Sequence, residues 1–143
     1  MNYFNICSGE IETVNTGLSV SIPSSYDEKY TFLRIENAKP KFETEITFSP
    51  RKNWNDFIQS LKEIASKPPE TISFEIGGEN TLYKMSIHFD GGFLLDFVNP
   101  DCSLMFWIGE NECAYTTLYF QTFEIFKKFV DYISDSNNEC KVM

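Results

Sequence analysis

The stretch "KFETEITFSPRKNWNDFIQSLKEIASKPP", residues 41–69, changes period in its middle. Over its first eight residues, Phe42, Thr44, Ile46 and Phe48 fall on one side and Glu43 and Glu45 on the other. A period of two marks a strand with one buried and one wet face. Beyond Phe48 the period lengthens. Ser49 stands where a helix needs a cap, and Pro50 at the first helical position, where a missing N–H costs nothing. Trp54, Phe57, Ile58, Leu61, Ile64 and Ala65 then recur at the three- and four-residue spacing of a single helical stripe. Lys67-Pro68-Pro69 ends the pattern, because proline removes a donor and clashes with the preceding turn. Trp54 therefore reads as a core anchor. A half-wet strand followed by an amphipathic helix predicts a helix laid on an antiparallel sheet.

The same two periods organise the rest of the chain. Upstream, Tyr3–Cys7 reads as a short edge strand. "GLSVSIP" (17–23) alternates Leu18, Val20 and Ile22 against Ser19 and Ser21, and "YTFLRIE" (30–36) alternates Thr31, Leu33 and Ile35 against Tyr30, Phe32 and Arg34. Downstream, strands are predicted at "TISFEIGG" (71–78), "LYKMSIHF" (82–89), "FLLDFV" (93–98), "SLMFWIG" (103–109) and "ECAYTTLYF" (112–120). A second helix follows, with Thr122 able to cap it and Glu124 in its first turn, where the helix dipole favours a negative charge. Phe123, Phe126, Phe129, Val130 and Ile133 supply its apolar side. Periodicity then fades, predicting a loose tail over 135–143. With no repeat and no interior linker, residues 1–143 read as a single domain. The fold class is α+β: an antiparallel, strongly twisted β-sheet meander with two main helices, at 50–66 and 122–134, packed on it.

Composition narrows the function classes. Of 143 residues, 42% are apolar and fourteen are Phe, enough for a substantial core. Twelve Lys and Arg against twenty-one Asp and Glu give a net charge of −9. Nucleic-acid binders need a basic face to displace counterions from phosphates, and the overall field of this chain opposes that. It suits a basic protein partner. The start, "MNYFNICSGE", lacks the basic and apolar regions of a signal peptide. No apolar run reaches the roughly 18 residues that span a bilayer. The expectation is a cytoplasmic protein with no membrane partner. Cys7, Cys102, Cys113 and Cys140 are then expected as free thiols. None is spaced as a zinc knuckle, so no metal and no cofactor are expected.

The segment "HFDGGFLLDFVNPDC", residues 88–102, carries the only histidine, three aspartates and a cysteine. Hairpin register tests it for catalysis. A three-residue loop at Asp90-Gly91-Gly92 pairs Phe89 with Phe93, Ile87 with Leu95 and Met85 with Phe97, all apolar. The other face then carries Ser86, His88 and, diagonally, Asp96. Side chains two apart on a strand stand parallel and do not meet, so Ser86 and His88 fall short of a catalytic hydrogen bond. There is no GxSxG elbow, phosphate loop or calcium loop. Asn99-Pro100-Asp101 is ordinary turn chemistry. Two other classes stay open. A small hydrolase would need His88 beside Asp96, Cys102 or Cys113. A single-strand nucleic-acid module would need a basic groove from Lys52, Lys62, Lys84, Lys127 and Lys128.

The remaining signal is acidity next to aromatic strand residues. Tyr and Trp ringed by charge are a common interface design. The candidate partner-binding residues are Asp90, Asp96, Asp101, Trp107, Glu110, Glu112 and Tyr115, with no catalytic residue among them. In size, acidity and layout the chain resembles small immunity proteins of bacterial toxin–immunity systems, including the contact-dependent growth-inhibition type. The segments that carry the resemblance are "FSPRKNWNDFIQSLKEI", "LYKMSIHFDGGFLLDFV" and "LYFQTFEIFKKFVDYIS". The resemblance implies a cytoplasmic non-enzyme that binds the C-terminal domain of one cognate toxin and blocks it. Many such toxins are nucleases with basic clefts, a target that an acidic inhibitor suits.

Overall fold

The computed structural model describes residues 2–23, 31–48, 51–66, 72–76, 91–98, 101–108 and 114–139. Within 72–76, 91–98, 101–108 and 114–117 the description is of the backbone and the Leu104 side chain, and the Ile64 side chain is likewise outside it. Among the described residues, nine strands and two helices follow one another as β1 (Tyr3–Asn5), β2 (Ile11–Glu12), β3 (Leu18–Ser21), β4 (Thr31–Asn37), β5 (Phe42–Phe48), α1 (Arg51–Ala65), β6 (Ile72–Ile76), β7 (Gly91–Val98), β8 (Asp101–Ile108), β9 (Ala114–Phe120) and α2 (Phe123–Ser134). The fold is α+β, and every pairing between the described strands is antiparallel.

The strands form two sheets. The first has the order β2-β1-β3-β4-β5, and the second is the meander β6-β7-β8-β9. Alternation sets what each face of the first sheet does. Phe4, Val20 and Ile35 are register neighbours on three successive strands, as are Leu33 and Ile46 on two. All five are buried. One residue along, Asn5, Ser19, Glu36 and Glu43 form the next row across four strands. Apolar rows face the helices, and the rows between them make the polar face.

The two helices close the core. Trp54, Phe57 and Leu61 of α1 are fully buried. The Trp54 and Phe57 rings sit 5.0 and 4.9 Å from the Phe48 ring of β5. On α2, Phe126, Phe129, Val130, Tyr132 and Ile133 are buried. Phe129 stands 6.0 Å from Phe4 in the first sheet and 5.1 Å from Phe120 in the second. One apolar cluster thus runs through both sheets and both helices. The start of α2 has the expected cap: Thr122 Oγ1 accepts a hydrogen bond from the Ile125 amide at 3.2 Å.

Several expectations are corrected. The β1 strand is not at an edge, because the two-residue β2 covers it. Phe42 shares the apolar side of β5 but is 47% exposed, since it pairs with Asn37 beyond the end of the core. Gly91 and Gly92 are strand residues opposite Ile108 and Trp107, not a loop. Phe93, Leu95 and Phe97 pair with Ile76, Phe74 and Ile72 on one side and with Phe106, Leu104 and Cys102 on the other. Both edges of β7 are therefore occupied, and the register expected with Phe89, Ile87 and Met85 is displaced. Alternation selects the face of a strand; it does not select between two neighbours with the same alternation. Residues 82–89 themselves lie outside the described residues, as do Ser49 and Pro50.

The first residues of the segment expected to be loose are held in place. Ser136–Asn138 forms a 3-10 turn, Glu139 bridges to Ile22, and Arg51 Nη2 meets Glu139 Oε1 at 2.8 Å. No helix among the described residues is long and apolar enough to cross a membrane.

Candidate partner-binding surfaces

The residues singled out from sequence do not converge on one place. Asp96 is inside β7, with Ser73 and Ser103 as register partners. Asp101 opens β8 opposite Val98, and Trp107 lies six positions further along the same strand, opposite Gly92 and Tyr115. At about 3.4 Å per residue, Asp101 and Trp107 are roughly 20 Å apart along β8. Trp107 and Tyr115 are the pair that the topology brings together. Asp90, Glu110 and Glu112 lie outside the described residues, as do His88 and Cys113, so the contact required of a hydrolase falls there too.

Two other surfaces emerge from described side chains. The first is the polar face of β4 and β5. Register places Ser21, Arg34 and Glu45 in one row and Ser19, Glu36 and Glu43 in the next. Arg34 Nη2 donates to Glu45 Oε1 at 2.9 Å, and Arg34 Nε lies 3.6 Å from Glu43 Oε1. Burial lowers the pKa of the guanidinium, but the Glu45 hydrogen bond and the charges of Glu43, Glu45 and Glu36 outweigh it, so the net shift is upward. Arg34 stays charged throughout the accessible pH range. Any stability its raised pKa contributes is complete below the ordinary arginine value and fades only as pH climbs through the raised one. One cation among three carboxylates leaves this face acidic. The alternation "KFETEITF" placed Glu43 and Glu45 on a wet face, but the sequence reading did not count them among the candidate partner-binding residues.

The second surface is a groove of about 420 Å3 between the β1–β2 turn and the C-terminal half of α2. Its wall is a tightly bonded turn. Asn5 Oδ1 accepts from the Cys7 and Ser8 amides at 2.9 Å each, and the Asn5 amide donates to the Glu10 carbonyl at 2.8 Å. Gly9 completes the turn at φ +74°, a region that favours glycine. A Cβ there would approach Ile125 Cγ1 to 3.2 Å, so glycine also lets the turn lie close against α2. The far end is anchored by Tyr132, whose hydroxyl donates to the Asn2 carbonyl at 3.0 Å. Asn138 Nδ2 donates to the Tyr132 carbonyl at 2.8 Å. Glu10, Asp131 and Asp135 line the groove together with Lys128. Sequence reasoning missed it because its two sides are more than a hundred positions apart in the chain.

Among the described residues no three His, Cys, Asp or Glu side chains group as metal ligands, and Cys7 is a free, exposed thiol. No family model matches the chain, and no curated protein or solved structure is significantly similar to it.

Proposed function

We propose that this protein is a non-catalytic inhibitor, an immunity protein that binds and neutralises a cognate bacterial toxin domain, and that it acts in the cytoplasm. The target its charge suits is a basic, nuclease-type toxin. The observation that carries this reading is the polar face of β4 and β5, where one guanidinium stands among three carboxylates on a chain of net charge −9. Such a field accelerates encounter with a basic partner and disfavours a polyanion. A sheet face rigidly held by the core behind it also meets a partner without first losing conformational freedom.

The experiment is capture of the toxin C-terminal domain encoded beside this gene, followed by growth rescue on co-expression. Stable capture and rescue are expected. Neither binding nor rescue would sink the proposal. Association should slow steeply as salt rises, because exposed charges are screened within about 8 Å at physiological ionic strength. Charge reversal at Glu110 and Glu112 tests the residues proposed from sequence. Slower association at low salt keeps them at the interface, and unchanged kinetics remove them.

A further inference from the structure

Register sorts the second sheet into two faces. Leu104 and Leu118 are partners on β8 and β9, and both are buried, as is Phe120. The Phe120 ring stands 5.5 Å from Phe126 and 5.1 Å from Phe129, so α2 packs on this side. Tyr119, between the two buried residues of β9, is 70% exposed and marks the outer face. Successive strand residues alternate between faces. The outer rows are therefore Gly92-Trp107-Tyr115, Glu75-Leu94-Met105-Thr117 and Ser73-Asp96-Ser103-Tyr119, with the pair Val98-Asp101 beyond them. Asp96, Asp101, Trp107 and Tyr115 are spread over roughly 20 Å, yet they share this one face.

Two properties set the outer face apart from a merely solvated one. The first is segregated charge. Strands β6, β7, β8 and β9 contain no Lys or Arg, and their acids, Glu75, Asp96 and Asp101, all fall on the outer face. Each acid is one strand and two residues from the next, about 8 Å at ordinary sheet spacings. They form an acidic diagonal with no cation in the same strands, whereas on the first sheet Arg34 already contacts Glu43 and Glu45. The second property is composition. The open side of an antiparallel sheet is ordinarily polar. Here Leu94 and Met105 take its middle, and Trp107, Tyr115 and Tyr119 take the side toward β9. Trp, Tyr and Met are enriched at protein interfaces and Lys is depleted there.

From this we infer that the outer face of the second sheet docks a basic protein surface, one that sets Arg or Lys around an apolar centre. The partner's cations meet the Glu75–Asp96–Asp101 diagonal, and its apolar centre covers Trp107, Tyr115 and Tyr119. A second copy of the chain fits poorly, because a two-fold interface would set the same acids against themselves. A polyanion meets the same repulsion. The partner's identity as a toxin domain rests on the immunity reading, but the chemistry of the face is testable without the toxin.

The test titrates the full chain with the capped peptide acetyl-Arg-Leu-Leu-Arg-amide, followed by amide chemical shifts. Its acidic counterpart, acetyl-Glu-Leu-Leu-Glu-amide, keeps the apolar centre and reverses the charge. Shifts along β7, β8 and β9 are expected by about 10 mM of the basic peptide, a weak affinity suited to so small a contact, and none with the acidic one. The double variant Asp96→Asn, Tyr119→Ser should abolish them. Tyr119→Ser alone, at an exposed position, should keep the wild-type urea midpoint and still weaken them. Glu43→Gln, on the first sheet, should leave them unchanged. Shifts that are absent, centred on β4 and β5, equal for the acidic peptide, or indifferent to the double variant would overturn the proposal. So would shifts on this face with an oligothymidine, which would assign it to nucleic acid. With the captured toxin domain, the double variant should weaken binding about fivefold or more. Capture at unchanged affinity would sink this docking face and leave the immunity reading standing. Peptide binding to the face without capture of the neighbouring toxin domain would sink the immunity reading and leave the face.

Discussion

The two helices were equally visible in the sequence, yet they do different things in the fold. The fifteen-residue α1 buries one stripe, and its aromatic pair meets a single strand residue, Phe48. The twelve-residue α2 buries five side chains and reaches both sheets, with Phe129 between Phe4 and Phe120. It also lies against α1, β8 and β9. The shorter helix is thus the one that joins the molecule. Length and amphipathicity identify a helix; the number of layers it contacts decides how much depends on it.

The largest expected effect comes from Phe129→Ala. Removing a buried phenylalanine costs about 3–5 kcal/mol through lost burial and the cavity left behind. Trp54→Ala falls in the same range, so equilibrium stability alone does not separate the helices. Hydrogen exchange does. Phe129→Ala should lower amide protection in both β1–β3 and β8–β9, because the ring touches Phe4 on one side and Phe120 on the other. Trp54→Ala should lower it mainly in α1 and β5. Equal, uniform loss of protection in the two variants would break the contrast.

What the sequence made legible follows from this same division. Periods of two and 3.6 placed eight of the strands and both helices, and they identified the wet side of β5 and the core role of Trp54. They could not reveal β2, since Ile11–Glu12 is too short to show a period. Nor could they choose the neighbour of β7, because Ile72, Phe74 and Ile76 alternate as well as Met85, Ile87 and Phe89 do. The buried ring of Tyr132 was hidden by its polar hydroxyl, which donates to Asn2, 130 positions away. The groove shared the same obstacle. Its acidic residues are individually unremarkable and come together only when α2 docks beside the first hairpin.

The next effect in size tests that docking. Gly9→Ala should cost about 1–2 kcal/mol from the left-handed backbone alone, with crowding of Ile125 added to it. Urea unfolding midpoints measure the loss. A Gly9→Ala chain with wild-type stability would mean that the turn is not pressed against the helix. Smaller again is Thr122→Ala, which removes the side chain that caps α2. About 1 kcal/mol is expected, read from the same urea midpoints, and fraying should be confined to the first turn around Phe123–Phe126.

The smallest effect belongs to the outer face of α1. Lys52 Nζ lies 3.2 Å from Asp56 Oδ2, one turn away, and the lysine side chain is 80% exposed. An ion pair in that setting gains little over hydration and must order two flexible side chains, so Lys52→Ala should cost no more than about 0.5 kcal/mol. Alanine's higher helix propensity offsets part of even that. The contrast with Thr122 is informative, since both residues support a helix by one polar contact. The cap satisfies an amide that has no other partner in the helix, whereas water readily replaces Asp56 for the lysine. A loss at Lys52 that matched the loss at Thr122, and that persisted in high salt, would show that α1 depends on its surface charges more than on Trp54, Phe57 and Leu61.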